Sequence, residues 1–453
     1  MSTVWRIKCR WSDNGDYGTE IYDVFFNLGV VFCGSSYDKK TGEEIRTSKD
    51  NFNGVKEGDY CSITAGATAV GIGRIKTNPA SLRELGFSEK DKELFSSGIY
   101  KEFNFDDMEL DLDSIWGCRA ELFDIGDNTI TYGNAQTRLI ISEDFKRGNE
   151  IIELYKKMEH NMKDELLKEM VIAAKNIVLT GAPGTGKTYL AKNIAARIMF
   201  DKQFTDLTKE ERDQIGYVQF HPSYDYTDFV EGLRPIPGEG NAIGFDRKDG
   251  VFKEFCKDAI DGSQHKKVFI IDEINRGEVS KIFGELFNAI ETGYRGESGQ
   301  IKTQYQNLVK QNDVFNHGFY VPNNVFIIGT MNDIDRSVES IDFAFRRRFS
   351  WIEITAAETQ EAILANLKKE EWKETAKKRM NSLNDAIWNG NGGIEGLSSS
   401  YHIGAAYFLK LNDLDGDFNK LWEFHLAPLL REYLRGMDCS EEKFKKLQDA
   451  YYE

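Results

Sequence analysis

"NIVLTGAPGTGKTYLAKNIA", residues 176–195, decides how this chain folds. An apolar, β-branched run leads into a loop with glycines at 181, 184 and 186. The residues that follow have helical spacing, so strand, loop and helix succeed one another directly. The pattern G-x-x-x-x-G-K-T falls on Gly181, Gly186, Lys187 and Thr188, in the strand-to-helix setting it requires. Glycines let backbone N–H groups turn inward around phosphate oxygens, and the helix presents its positive end to the same place. Gly181, Pro183, Gly184, Thr185, Gly186, Lys187, Thr188 and Tyr189 are therefore expected to form a phosphate site. Lys187 would reach the β- and γ-phosphates, and the Thr188 hydroxyl would hold Mg²⁺. An ordinary glycine-rich turn is the plainer alternative, and the full pattern in context outweighs it.

Working outward, residues 176–354 alternate strand and helix. "YVQF" (217–220), "KVFIIDE" (267–273) and "NVFIIGTMN" (324–332) read as strands; "KTYLAKNIAARIMF" (187–200) and "GEVSKIFGELFNAIE" (277–291) read as helices. Such alternation implies a parallel sheet covered on both faces. A strand neighbouring the phosphate-loop strand is expected to deliver Asp272 to the Mg²⁺ shell and Glu273 to the attacking water. Adjacent acids at a strand end otherwise serve as caps or turns. Asn332 would arrive at the same sheet edge and orient water, with Asp335 acting beside it. "FAFRRRF" (343–349) adds Arg346, Arg347 and Arg348, whose planar guanidinium groups suit the charge on a transferring phosphoryl. In a ring of subunits one of them would reach the neighbour's nucleotide. A solvated basic run is the alternative, and Arg276 and Arg336 are further candidates.

The chain has 453 residues, too many for one ordinary core. Four stretches are expected: a β-rich region over 1–145, a charged helical connector over 146–175, the α/β domain over 176–354, and a helical domain over 355–453. Cys9, Cys33, Cys61, Cys118, Cys256 and Cys439 show no C-x-x-C spacing, which argues for a reducing cytoplasm. No apolar stretch is long enough to span a membrane. Net charge is −16, and residues 1–150 carry 18 Lys and Arg against 26 Asp and Glu. Nucleic-acid binding by overall charge is thereby excluded. Any DNA contact must be local and shaped, or arise on assembly.

The phosphate loop, paired acids, polar third strand and trailing arginines together resemble an AAA+ ATPase module with its helical lid. Within that superfamily, "YVQFHPSYDYTDFVEGLRP" (217–235), "IIDEINRGEVSKIFGELFNAIE" (270–291), "GTMNDIDRS" (329–337), "YHIGAAYF" (401–408) and "APLLREYLRG" (427–436) resemble the McrB family. Members are motor subunits of modification-dependent restriction systems. The resemblance runs from about 165 to 440 and places the family signature Met-Asn-x-x-Asp-Arg on Met331, Asn332, Asp335 and Arg336. It implies hydrolysis of GTP, with ATP as the alternative, a homo-hexameric ring, and an McrC-like partner that carries the nuclease. The Asn-Lys-x-Asp guanine motif is absent, so GTP rests on the resemblance alone. No lid arginine is evident where "YHIGAAYF" stands, and no nuclease constellation is visible.

"VKEGDYCSITAGATAVGIGRI" (55–75), following "NLGVVFCGSS" (27–36), resembles EVE and PUA-like β-barrel modules, relatives of the YTH fold. Several of these hold a flipped, modified base between aromatic rings. Trp5, Trp11, Phe32, Tyr60 and Trp116 are the available rings, although buried aromatics more often build a small β core. The expected partners are then double-stranded DNA carrying a modified base, further copies of the chain, and a nuclease subunit. A MoxR- or dynein-like ATPase that remodels protein complexes is the runner-up. A third reading is a nucleic-acid adaptor that uses nucleotide only as an assembly switch.

Overall fold

A computed structural model describes residues 3–8, 10–11, 19–20, 22–33, 36–37, 44–65, 68–88, 91, 112–126, 130–132, 141–144, 147–237, 243–262, 265–334 and 343–453. The chain divides into two units, Met1–Lys163 and Asp164–Glu453.

In the first unit, six strands run in the order β6-β1-β3-β4-β5-β2. They are β1 (Val4–Lys8), β2 (Val30–Cys33), β3 (Tyr60–Ala65), β4 (Thr68–Ile75), β5 (Trp116–Asp124) and β6 (Ile141–Glu143). Only β1 and β3 pair in parallel. Alternation along β1 sends Trp5 and Ile7 to one face of the sheet, packed with Cys61, Ile63 and Phe32. Val4 faces the other way with Tyr60, Tyr132 and Tyr155. "IYDVFFNLGVVFCG" reads as strand throughout, but its first half is helix α1 (Tyr22–Leu28). Val24, Phe25 and Leu28 share one helical face, and Gly29 at φ 58° turns the chain into β2. Helix α2 (Gly148–Ala174) contains the division between the units.

The second unit holds β7 (Asn176–Thr180), β8 (Gly216–Gln219), β11 (Lys267–Asp272), β12 (Val325–Thr330) and β13 (Ser350–Glu353) in the order β8-β11-β12-β7-β13, all parallel. Ile177, Leu179, Val268, Ile270, Phe326 and Ile328 point to one face, where α3 (Lys187–Phe200) covers them with Ala191, Ile194 and Ile198. Val178, Phe269, Ile271, Val325 and Ile327 point to the other, against Phe252 and Cys256 of α4 (Val251–Asp261). All six residues of β12 are buried, as the middle strand of a doubly covered sheet demands. Two details depart from the sequence reading. The strand of Asp272 and Glu273 is not beside the phosphate-loop strand, because β12 lies between them. The expected helix over 277–291 is broken at Gly284, φ 51°, into Val279–Phe283 and Leu286–Ala289.

An antiparallel hairpin, β9 (Glu231–Pro237) with β10 (Ile243–Asp249), was not foreseen. Ion pairs root it: Lys253 to Glu231 at 2.6 Å, Arg247 to Glu231 at 2.9 Å, and Lys257 to Asp249. Helices α5 (Ala356–Leu364), α6 (Glu370–Ile387) and α7 (Ser440–Tyr452) enclose a separate core that includes Met380, Leu383, Phe408, Trp422, Leu430 and Tyr451. Among the described residues no helix is long and apolar enough to cross a membrane.

Candidate nucleotide site

The ends of β7, β11 and β12 set the site, at the carboxyl edge where open parallel sheets bind ligands. After β7 the chain enters the loop through Gly181 at φ 136° and turns at Gly184 at φ 78°, conformations closed to most side chains. Helix α3 starts at Lys187, so its unpaired N–H groups and positive dipole end face the loop's interior. Lys187 is buried, and its Nζ donates to Gly181 O at 3.0 Å, Ala182 O at 2.8 Å and Thr185 Oγ1 at 3.3 Å. Tyr189 is exposed on the first turn of α3.

Asp272 ends β11 with three hydroxyls upon it. Thr188 Oγ1 donates to Oδ1 at 2.8 Å, Thr330 Oγ1 donates to the same oxygen, and Tyr217 Oη donates to Oδ2 at 2.9 Å. Burial, and then the carboxylate it faces, pushes the Tyr217 phenol up to about 12, so it remains a donor. Glu273 follows in the left-handed region at φ 51° and ψ 47°. Its backbone N–H donates to Thr330 Oγ1 at 3.3 Å, and its Oε1 accepts from Asn332 Nδ2 at 2.9 Å. Arg276 Nε lies 3.3 Å from Glu273 Oε2. Thr188, Asp272, Thr330, Glu273 and Asn332 thus form one hydrogen-bonded chain that links α3 to the ends of β11 and β12.

The arrangement suits a nucleoside triphosphate and Mg²⁺. A hydroxyl and a carboxylate 2.8 Å apart form an oxygen-only donor pair, the kind a hard cation takes alongside substrate phosphates. The loop supplies the concave backbone for those phosphates.

Sequence reasoning missed Thr330, Tyr217 and Asp333. Thr330 lies two residues before Asn332, hence on the same side of an extended chain. Tyr217 becomes legible only once β8 is known to pair with β11. Asp333 places its N–H 3.5 Å from Gly181 O; burial pushes its carboxyl up, and Lys187 opposes the shift. Asp335 and Arg336, the expected acid and arginine of this loop, lie outside the described residues.

Arg348 is turned into the protein. It is buried, donating to Ala344 O at 2.7 Å and Asn288 Oδ1 at 3.0 Å, with Glu291 3.5 Å from its Nε. Arg346 and Arg347, by contrast, are exposed. His402 of the lid is also committed internally, its Nε2 lying 2.8 Å from Trp388 O.

Of the aromatic residues available to cage a base, Trp5, Phe32 and Trp116 pack on one core cluster and Tyr60 on another. Tyr60 packs edge-on against Tyr155 on the opposite face of the sheet from Trp5 and Phe32. Phe32 is core, 1% exposed. Trp5 Nε1 donates to Asp59 at 2.9 Å, and Trp116 lies under Lys49 at 4.5 Å. The side chain of Trp11 lies outside the described residues.

Residues 176–349 match the AAA domain of the dynein-related subfamily, and residues 375–440 match the α-helical lid domain of McrB. A curated relative, the type IV methyl-directed restriction enzyme EcoKMcrB subunit of Escherichia coli K12, is 40% identical over 291 residues, 62% of this chain. Residues 375–440 thus carry a lid of the McrB type beside an AAA domain. A second relative in kind, the type II restriction enzyme BsuMI component YdiS of Bacillus subtilis 168, is 27% identical over 201 residues, 39% of this chain. The chain spans 58% and 56% of the lengths of those two proteins. Both family matches lie within residues 176–440, so they leave the β-rich first unit unassigned. Among solved structures, NtrX from Brucella abortus aligns with 68% of the chain and 76% of its own at 14% identity; a TM-score of 0.26 carries no argument.

Proposed function

We propose that this chain is a nucleoside triphosphatase, the motor subunit of a type IV, modification-dependent restriction system. The observation that carries the reading is the hydrogen-bonded chain Thr188–Asp272–Thr330–Glu273–Asn332 beside a phosphate loop, in a chain whose lid is of the McrB kind. Lys187 would leave the loop carbonyls for the β- and γ-phosphates. Thr188 and Asp272 would hold Mg²⁺, which when bound neutralises charge on those phosphates. Glu273 would take the proton of the attacking water, and Asn332 would hold both the carboxylate and the water. Arg346 or Arg347 would complete a neighbour's site in a homo-hexamer.

GTP is the proposed substrate, with ATP second. The first unit, read as an EVE or PUA-like module, would recognise double-stranded DNA carrying a modified base such as 5-methylcytosine. An McrC-like subunit would cut. The dynein-related AAA match favours the second reading, a remodelling ATPase, but the McrB lid match weighs against it. Hydrolysis of GTP and ATP by the full chain separates the two. Faster GTP turnover supports the restriction motor, and a clear ATP preference points to the remodeller. Equal binding of methylated and unmethylated duplexes would remove the reader role alone.

A further inference from the structure

A phosphate loop whose N–H groups turn inward must turn carbonyls outward, and buried carbonyls need donors. Four consecutive ones have them here. Lys187 Nζ serves Gly181 O at 3.0 Å and Ala182 O at 2.8 Å. The lid serves the next two: Gly404 N–H donates to Pro183 O, and Ala406 N–H donates to Gly184 O, each at 3.0 Å. The Lys187 bonds are lost when that side chain turns to a nucleotide, which leaves Ala182 O with Thr185 Oγ1 at 3.0 Å and Gly181 O with Asp333 N at 3.5 Å. The lid's two bonds do not depend on Lys187.

Contact along this strip is close enough to demand glycine. A Cβ on Gly404 would lie 2.1 Å from the carbonyl carbon of Gly184 and 2.4 Å from Thr185 N. Gly404 itself has φ −77° and ψ 155°, backbone open to any residue, so proximity alone explains it. From the loop's side, a Cβ on Gly184 would lie 2.7 Å from the Tyr407 ring, and one on Gly186 would lie 3.0 Å from Ile363 Cδ1.

We propose that Gly404, Ala406 and Tyr407 are positioning residues: a backbone latch through which the lid holds the outer face of the phosphate loop. The amide cradle keeps its shape while Lys187 is engaged elsewhere. The lid is coupled to nucleotide through the loop itself, which explains how it can act with no arginine in "YHIGAAYF". This rests on the nucleotide-site reading above.

Gly404→Ala in the full chain inserts one methyl group where the two backbones meet. Affinity for a fluorescent GTP analogue should weaken at least about tenfold, as expected of a misplaced binding loop. Turnover at saturating nucleotide should fall much less, and far-ultraviolet circular dichroism should be unchanged. Amide exchange in peptides covering 181–186 and 402–408 should quicken. Tyr407→Ala, which inserts nothing, should shift affinity and exchange in the same direction and guards against a folding defect in the first variant. Native affinity and native exchange in both variants would overturn the latch. Lys187→Ala separates the two readings. If it still binds nucleotide, the site reading fails and the exchange data alone judge the latch. If it loses binding while Gly404→Ala and Tyr407→Ala both keep native affinity and exchange, only the latch fails.

Discussion

Thr330→Val tests whether one hydroxyl holds the two acids in register. The substitution keeps the branched shape and the β propensity of β12 while deleting two hydrogen bonds: the one given to Asp272 and the one accepted from Glu273 N–H at 3.3 Å. A hydrogen bond to a charged group contributes about 1.5–3 kcal/mol, and an orphaned buried donor costs about 1–3 kcal/mol. Asp272 keeps Thr188 and Tyr217, so the net cost should fall near about 2–3 kcal/mol. That is comparable to the roughly 1–3 kcal/mol a left-handed residue stores. Glu273, at φ 51°, is then free to relax and carry its carboxylate off target. Misplacement by about 1 Å costs about a hundredfold in rate. Phosphate release at saturating GTP should drop by about that factor, while affinity for a fluorescent analogue stays within about threefold because the phosphate loop is untouched. Turnover within about threefold of native, or affinity falling in step with turnover, would refute the assignment of Thr330 as the link.

Glu273→Gln should bind nucleotide normally and hydrolyse it about 10²–10⁴ times more slowly; native turnover would end the general-base assignment. Arg348→Ala should lower the melting temperature, since it strands the Asn288 and Ala344 contacts. Arg346→Ala and Arg347→Ala should leave melting unchanged, and at least one should slow hydrolysis only in the assembled protein; two silent variants would exclude both from the neighbour's site. Lys253→Ala should cost up to about 3–5 kcal/mol, reduced by the Arg247 pair that Glu231 retains, and is read from thermal melting. Burial pushes the Glu231 and Asp249 carboxyls up, but Lys253, Lys257, Arg247 and other donors more than offset it and hold both below the usual range. Their stabilisation is therefore complete above ordinary carboxylate pKa values and lost as pH falls through the depressed ones. The melting temperature should drop in acid over that window, and less steeply in Lys253→Ala.

The phosphate loop and the strands around it were legible because their signals are local: glycines, a lysine and apolar runs within a few residues. What escaped depended on partners distant in sequence. Pro235 and Pro237 mask β9, yet a two-stranded hairpin leaves one edge of that strand outside any ladder and tolerates them. Three consecutive arginines look alike until a short helix at Phe343–Arg346 turns Arg348 inward to Asn288. Trp5 and Tyr60 look equally available until the parallel register opposes Tyr60 to Val4, which sends the two rings to opposite faces. The AAA+ order itself needs non-local pairing, which is why Asp272 was expected one strand too close.

That intervening strand has a mechanical consequence. β12 touches β7 on one side and β11 on the other, so Thr330 and Asn332 stand between the loop that would hold phosphate and the acids that would act on it. Thr330 hydrogen-bonds to both acids, Asn332 Nδ2 donates to Glu273, and Asn275 Nδ2 reaches back to Asn332 O at 3.3 Å. On the other flank, Met331 N–H donates to Leu179 O and Asp333 N–H lies 3.5 Å from Gly181 O. β12 thus holds the acids through short side chains on one flank and the loop strand through backbone on the other. Substitutions at the end of β12 should therefore disturb catalysis more than binding, and substitutions at Gly404 the reverse. A single variant that broke both equally at either position would mean the two sides of the sheet edge are not held separately.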